Sequence, residues 1–211
     1  MKKLNAALIA ILLAAASAQA QIVFTNLAND WSGWIGVYNS ATDTQRVAQQ
    51  FTTGNAGYIL LAINPYFQDV TGSPADGFTM ELFSDSGGLP DAFLSSLDGP
   101  ASPVAGFGNA YATPGGYEVA ANTTYWWVAS TLSLSNVTNF SIYQTSDLTA
   151  TSPAGWTGGK SAADSGTGWI LDETASTQFS MDATVPEPST WALFGLGALG
   201  ILMGLRRKKT A

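Results

Sequence analysis

Thr124-Tyr125-Trp126-Trp127-Val128-Ala129-Ser130 decides the fold. Its residues are mostly β-branched or aromatic, the types that fit a pleated surface. Strand side chains alternate, so Tyr125, Trp127 and Ala129 fall on one face and Trp126, Val128 and Ser130 on the other. Both faces are largely apolar. Such a strand needs cover on two sides and reads as the central strand of a layered β domain.

The neighbouring sequence has the same character. Phe78, Met80 and Leu82 alternate with Thr79 and Glu81 up to Phe83, which predicts a half-buried strand. Arg46 to Thr53 and Tyr58 to Ile63 predict two more, joined by the turn Gly54-Asn55-Ala56-Gly57. Ile22-Val23-Phe24, Trp34 to Tyr38, Ala92 to Leu97, Tyr117-Glu118-Val119, Phe140 to Tyr143 and Gln178 to Asp182 complete the set. Gly99 to Gly116 reads as a Gly/Pro-rich loop, and Thr149 to Gly168 as a long loop or mobile edge. No run of ten or more residues between Gln21 and Thr184 has a helical period. The pattern predicts an all-β domain at 21–184, an antiparallel β-sandwich of jelly-roll type, with a closed barrel as the rival. The Gly/Pro breaks disagree with an outer-membrane barrel, whose lipid-facing alternation recurs strand after strand.

The two ends read differently. Lys2 and Lys3, the apolar Ala6 to Ala16 and the small-x-small site at Ala18 and Ala20 predict a cleaved signal peptide over residues 1–20. At the other end, Val185-Pro186-Glu187-Pro188 leads into Ser189 to Leu205, an uncharged run of about 25 Å as a helix. That length is slightly short of a hydrocarbon core, so the run spans with some thinning or snorkelling. Arg206, Arg207, Lys208 and Lys209 then place its end in the cytoplasm and the β domain outside.

Charge narrows the function. The 211-residue chain holds eight Lys and Arg, but Gln21 to Thr184 keeps only Arg46 and Lys160 against fourteen acidic residues, a net of −12. Nucleic-acid binding is excluded, because phosphate recognition needs clustered cations. The chain has no Cys and no His. That removes thiol nucleophiles, Ser-His-Asp triads, His-ligated zinc and haem attachment. No cofactor is implied.

Oxygen chemistry remains. Asp85-Ser86-Gly87-Gly88, with Asp91 and Asp76, offers oxygens to a calcium ion, although Asp and Gly also build such turns for their own sake. Glycosidase chemistry needs two facing carboxyl groups, and none of the fourteen lies in a distinctive motif. Lys160 sits in Gly-rich sequence with nothing to fix it as a base. Trp31, Trp34, Trp156 and Trp169 lie near Gly and Ser, where flat rings either stack on sugars or seal the sandwich. Asn122, Asn136 and Asn139 open Asn-x-Ser/Thr triplets, at the frequency chance produces in Ser- and Thr-rich sequence.

Pro186-Glu187-Pro188, the short Gly-rich span and the Arg206-Arg207 tail resemble the PEP-CTERM sorting signal of exopolysaccharide-producing Gram-negative bacteria. The resemblance implies an exosortase partner, a membrane-embedded transpeptidase-like enzyme that recognises Glu187 and its prolines and removes the tail. Three inner blocks, Gln49 to Gly54, Leu82 to Pro90 and Ala120 to Trp126, look like choice-of-anchor R domains, a resemblance that implies no enzymatic activity. The sequence thus points to a non-enzymatic protein, anchored transiently by its C-terminal helix and then held at the surface or in the exopolysaccharide matrix of a biofilm. The alternatives are a carbohydrate-binding module or a polysaccharide-cleaving enzyme.

Overall fold

In a computed structural model that describes residues 20–39, 44–71, 77–131, 139–148, 150, 152 and 154–185, every regular element among those residues is a strand. In chain order they are β1 (Gln21–Thr25), β2 (Gly33–Asn39), β3 (Thr44–Thr52), β4 (Tyr58–Pro65), β5 (Phe67–Thr71), β6 (Phe78–Ser86) and β7 (Leu89–Leu97). These are followed by β8 (Tyr111–Val119), β9 (Thr124–Thr131), β10 (Asn139–Thr145), β11 (Thr157–Asp164), β12 (Trp169–Asp172), β13 (Ser176–Thr177) and β14 (Phe179–Thr184). The strands pair antiparallel, and Ala20–Thr184 forms one compact unit. The signal peptide and the C-terminal span expected from sequence lie outside the described residues, as does Asp76.

The double-tryptophan strand β9 is central, as its composition requires. It pairs with β3 on one side (Gln49 opposite Trp127) and β6 on the other (Leu82 opposite Trp127). Beyond β3 lie β11 and β12; beyond β6 lies β7. The start of β3 also meets β2, which continues through β10 to β5 and β13. A four-stranded sheet, β1-β14-β4-β8, supplies the second layer. Inward side chains of both layers form one core: Phe24, Leu60, Ile63, Phe179 and Met181 from the small sheet meet Phe51, Met80, Leu82, Tyr125 and Trp127 from the large one. Trp127 meets Phe179 edge-on at 5.8 Å, and Phe51 stacks on Trp156 at 5.8 Å with the rings 5° apart.

The opposite face of β9 is covered as well. Trp126 and Val128 pack with Ala48 and Ala162, and Phe83, Trp169 and Leu171 close over them. One strand therefore faces two cores, the reading that its two apolar faces demanded.

Two loop readings are overturned. Thr157–Asp164, inside the stretch read as a long loop, is β11 and runs beside β3 from Thr52 to Arg46. Its small residues serve close approach. A Cβ on Gly158 would lie 2.9 Å from the Phe24 ring, and one on Gly159 would lie 2.5 Å from Gln50. Likewise Tyr111 to Gly116, read as loop, is the first part of β8. It pairs with β4 across a register shift between Leu60 and Ala62, which suits a stretch broken by Gly115 and Gly116 at positive φ.

A polar joint connects the layers. The chain crosses from β13, in the large sheet, to β14, in the small one, at Gln178, and leaves backbone groups that no ladder satisfies. Buried Asn26 replaces that ladder: its Nδ2 donates to Thr177 O at 2.8 Å and its Oδ1 accepts from Phe179 N at 2.7 Å. Gln49, fully buried on β3, accepts from Thr177 N at 2.6 Å and from Thr177 Oγ1 at 3.1 Å. It also donates to the carbonyls of Gln50 and Gly159, both at 2.8 Å. Every polar atom of the Gln49 amide is thereby used, which is the condition for burying it without loss.

Candidate functional site

The four tryptophans singled out from sequence separate into two kinds. Trp156 is wholly buried between Phe51 and Tyr58, so its role is to seal the core. Trp169 is half-buried on β12, with the Arg46 guanidinium 4.9 Å above its ring. Trp31 and Trp34 face solvent, 59% and 54% exposed. They share their surface with residues that sequence did not single out. Trp34 on β2 lies opposite Tyr143 on β10, so the two side chains share a sheet face. Tyr143 also meets Trp31 edge-on at 6.2 Å and Tyr66 at 4.5 Å, and Tyr66 stacks on Phe107 at 3.9 Å. Tyr66, Tyr143 and Phe107 are far apart in the chain; the pairing of β10 with β2 and β5 and the bridge between Gly106 and Phe67 bring them together.

The carboxylates have local duties. Asp85 accepts from the Trp126 indole N–H at 2.7 Å, from Gln50 Nε2 at 3.2 Å and from Gly88 N at 3.3 Å. It ties the turn after β6 to the outer core, where the turn glycines Gly87 and Gly88 both have positive φ. Asp91 is exposed on β7. Among the described residues no group of three or more Asp or Glu is placed to share a metal ion. Lys160 lies on β11, not in a loop, and pairs with Glu173 at 2.8 Å.

Asp164 closes the other side of the outer core. It accepts from Arg46 Nη2 at 2.5 Å, from Gly166 N at 2.8 Å and from Gly168 N at 3.0 Å. Burial raises its pKa, but the Arg46 hydrogen bond, the two backbone N–H groups and the Arg46 charge outweigh that and hold it below the ordinary carboxylate value. A depressed carboxyl contributes stability above its unfolded pKa of about 3.9 and loses it as pH falls through the folded value. The urea midpoint is therefore expected to drop as the pH is lowered below about 4. Asp164→Asn should start lower at pH 7 and fall less steeply in acid; parallel profiles for the two proteins would rule the group out.

The remaining site is the C-terminal exit. β14 is an interior strand of the small sheet, between β1 and β4, and its last residue, Thr184, pairs with Ile59. On its other side Ala183 lies opposite Gln21, the first residue of β1. The chain thus enters and leaves the β domain at one corner, with exposed Ala20 next to Gln21 and Val185 next to Thr184. Ala18, Pro186, Glu187, Pro188 and Arg206 to Lys209 lie outside the described residues.

A comparison with curated proteins found no match for the chain. A family model described as the PEP-CTERM protein-sorting motif matches residues 184–208, beginning at the last residue of β14. The β domain therefore hands over, without a spacer, to a PEP-CTERM protein-sorting motif.

Proposed function

We propose that the protein is exported, processed by an exosortase through residues 184–208, and delivered to the surface or extracellular matrix, where its β domain works without catalysis. The sorting motif carries this reading, because such a motif marks an exported protein that is sorted at the membrane before it reaches the surface. Removal of the signal peptide after Ala20, and transient anchoring by Ser189 to Leu205, belong to the same proposal. The folded domain constrains the processing step. Pro186 follows Thr184 by two residues, so on this reading the enzyme acts close in the chain to the end of β14.

Replacing Pro186, Glu187 and Pro188 together by alanine is expected to abolish processing in the native host. Intact mass would retain the tail, and the protein would stay in the membrane fraction. Processing and localisation identical to wild type would sink the sorting assignment. The solvent-facing Trp31 and Trp34 favour a second reading of the domain itself, as a carbohydrate-binding module.

A further inference from the structure

We propose that the outer face carrying Trp31, Trp34, Tyr66, Tyr143 and Phe107 is a binding platform for a neutral polysaccharide. This deepens the carbohydrate-binding reading and does not depend on how the protein is sorted. Four rings form a contiguous cluster: Trp31 meets Tyr143 edge-on at 6.2 Å, Tyr143 tilts against Tyr66 at 4.5 Å, and Tyr66 stacks on Phe107 at 3.9 Å, with Trp34 flanking Tyr143. Single exposed aromatics need no explanation, but exposed Trp31, Trp34 and Phe107 gathered around half-buried Tyr66 and Tyr143 do.

The row is held rigidly, which lowers the entropy cost of binding. Phe107 stands between Gly106 and Gly108, both at positive φ, on a loop fastened at each side. Gly106 exchanges two backbone hydrogen bonds with Phe67, and the Asn109 side chain bonds both N and O of Val104 at 2.8 and 2.7 Å. The backbone next to Trp31 is anchored by Ser32 N donating to Gln144 O at 2.9 Å. Tyr66 and Tyr143 are joined through Tyr143 N and Tyr66 O at 3.0 Å.

The chemistry around the row selects the ligand. Gly36 and Ser141 pair beside Trp34 and Tyr143, so a floor of small residues lies next to the rings. Asp69, opposite Ser141, and Asp30, next to Trp31, are exposed carboxylates that can accept from hydroxyls. The exposed apolar rings Trp31, Trp34 and Phe107, with hydroxyl-accepting edges beside them, match a pyranose ring, which offers C–H groups on its faces and O–H groups at its rim. The face has no cation to offer an anionic polymer, and its rings and hydroxyl acceptors need no charge on the ligand. Arg46 and Lys160, the two cations of the β domain, lie on β3 and β11 and are paired with Asp164 and Glu173. A second copy of the chain fits less well, since a two-fold contact sets the same patch against itself and would gather both copies' Asp30 and Asp69 in one interface with no cation between them.

The test is affinity electrophoresis of the full-length chain in non-ionic detergent through gels containing β-glucan, galactomannan, dextran or, as the anionic comparison, alginate. At least one neutral polymer should retard the protein. Trp34→Ala with Tyr143→Ala should weaken that retention roughly tenfold or more, about 1.4 kcal/mol or more. Trp31→Ala with Phe107→Ala, which removes only the ends of the row, should weaken it independently. Ile170→Ala, at an exposed apolar residue on β12, should not change it. Thermal unfolding of each variant checks that the fold is kept. The proposal is overturned if no neutral polymer retards the protein, if alginate alone does, or if both double variants migrate like wild type. It is also overturned if sedimentation shows that the variants abolish a dimer and leave retention unchanged. Processing of the same variants in the host is read separately by mass, so failure here leaves the sorting assignment standing.

Discussion

Trp127→Ala is expected to lower the unfolding free energy by about 3–5 kcal/mol, the usual cost of removing a large aromatic from a well-packed core. Trp127 is wholly buried at the centre of the main core, with Phe179 edge-on to it from the small sheet. Its strand is held on both sides by β3 and β6, so the backbone has little freedom to collapse into the space left behind. Trp127→Phe should cost much less, because the Trp127 indole N–H has no hydrogen-bond partner among the described residues and no bond is lost with it. Trp126→Phe makes the contrast. That residue is just as buried, but its indole N–H donates to Asp85 at 2.7 Å, and removing it leaves that carboxylate oxygen with only the longer bond from Gln50. Urea unfolding followed by far-UV circular dichroism ranks the three. A Trp127→Ala loss below about 1 kcal/mol would refute this account of the core.

Gln49→Leu is expected to cost about 3 kcal/mol or more, although leucine is similar in size and more apolar than glutamine. The substitution orphans four groups at once: Thr177 N–H, Thr177 O–H and the carbonyls of Gln50 and Gly159. An unsatisfied buried group costs about 1–3 kcal/mol, and some of the four will find water or shift. The loss should be concentrated where the chain passes from β13 to β14, so hydrogen exchange at Thr177 and Phe179 should rise more than exchange along β9. Gln50→Leu is the control. Gln50 is half-buried on the same strand and, among the described residues, its side chain donates only to Asp85, so its cost should stay near 1 kcal/mol. Equal losses for Gln49 and Gln50 would mean that the joint is not what holds the layers together.

Much of this architecture follows from local patterning. The alternation in Phe78 to Phe83 and the two-sided apolar run Thr124 to Ser130 mark strands because the side-chain period of a strand is two residues. Thr157 to Asp164 gives no such signal, since its Gly, Ser and Ala residues were selected for what they leave room for, the Phe24 ring and the Gln50 side chain. The blocks at 49–54, 82–90 and 120–126 look unrelated in the chain, yet they are carried by the neighbouring strands β3, β6 and β9 and the turns beside them. Thr53 shows one reason: its hydroxyl donates to Ala120 O at 2.6 Å and accepts from Thr123 N at 2.9 Å, clasping the first block to the third.

By itself the sequence determined the all-β class, the central strand and the sorting motif, because each is written in contiguous residues whose periodicity or composition carries the physics. Tertiary structure alone decided which tryptophans are core and which are surface, since Trp156 and Trp34 sit in similar Gly-rich surroundings and differ only in what packs over them. It also decided that Gln49 and Asn26 are structural, and that Trp31, Trp34, Tyr66, Phe107 and Tyr143 form one face. Those relations run between residues up to 153 positions apart, set by strand register, and no local pattern encodes them.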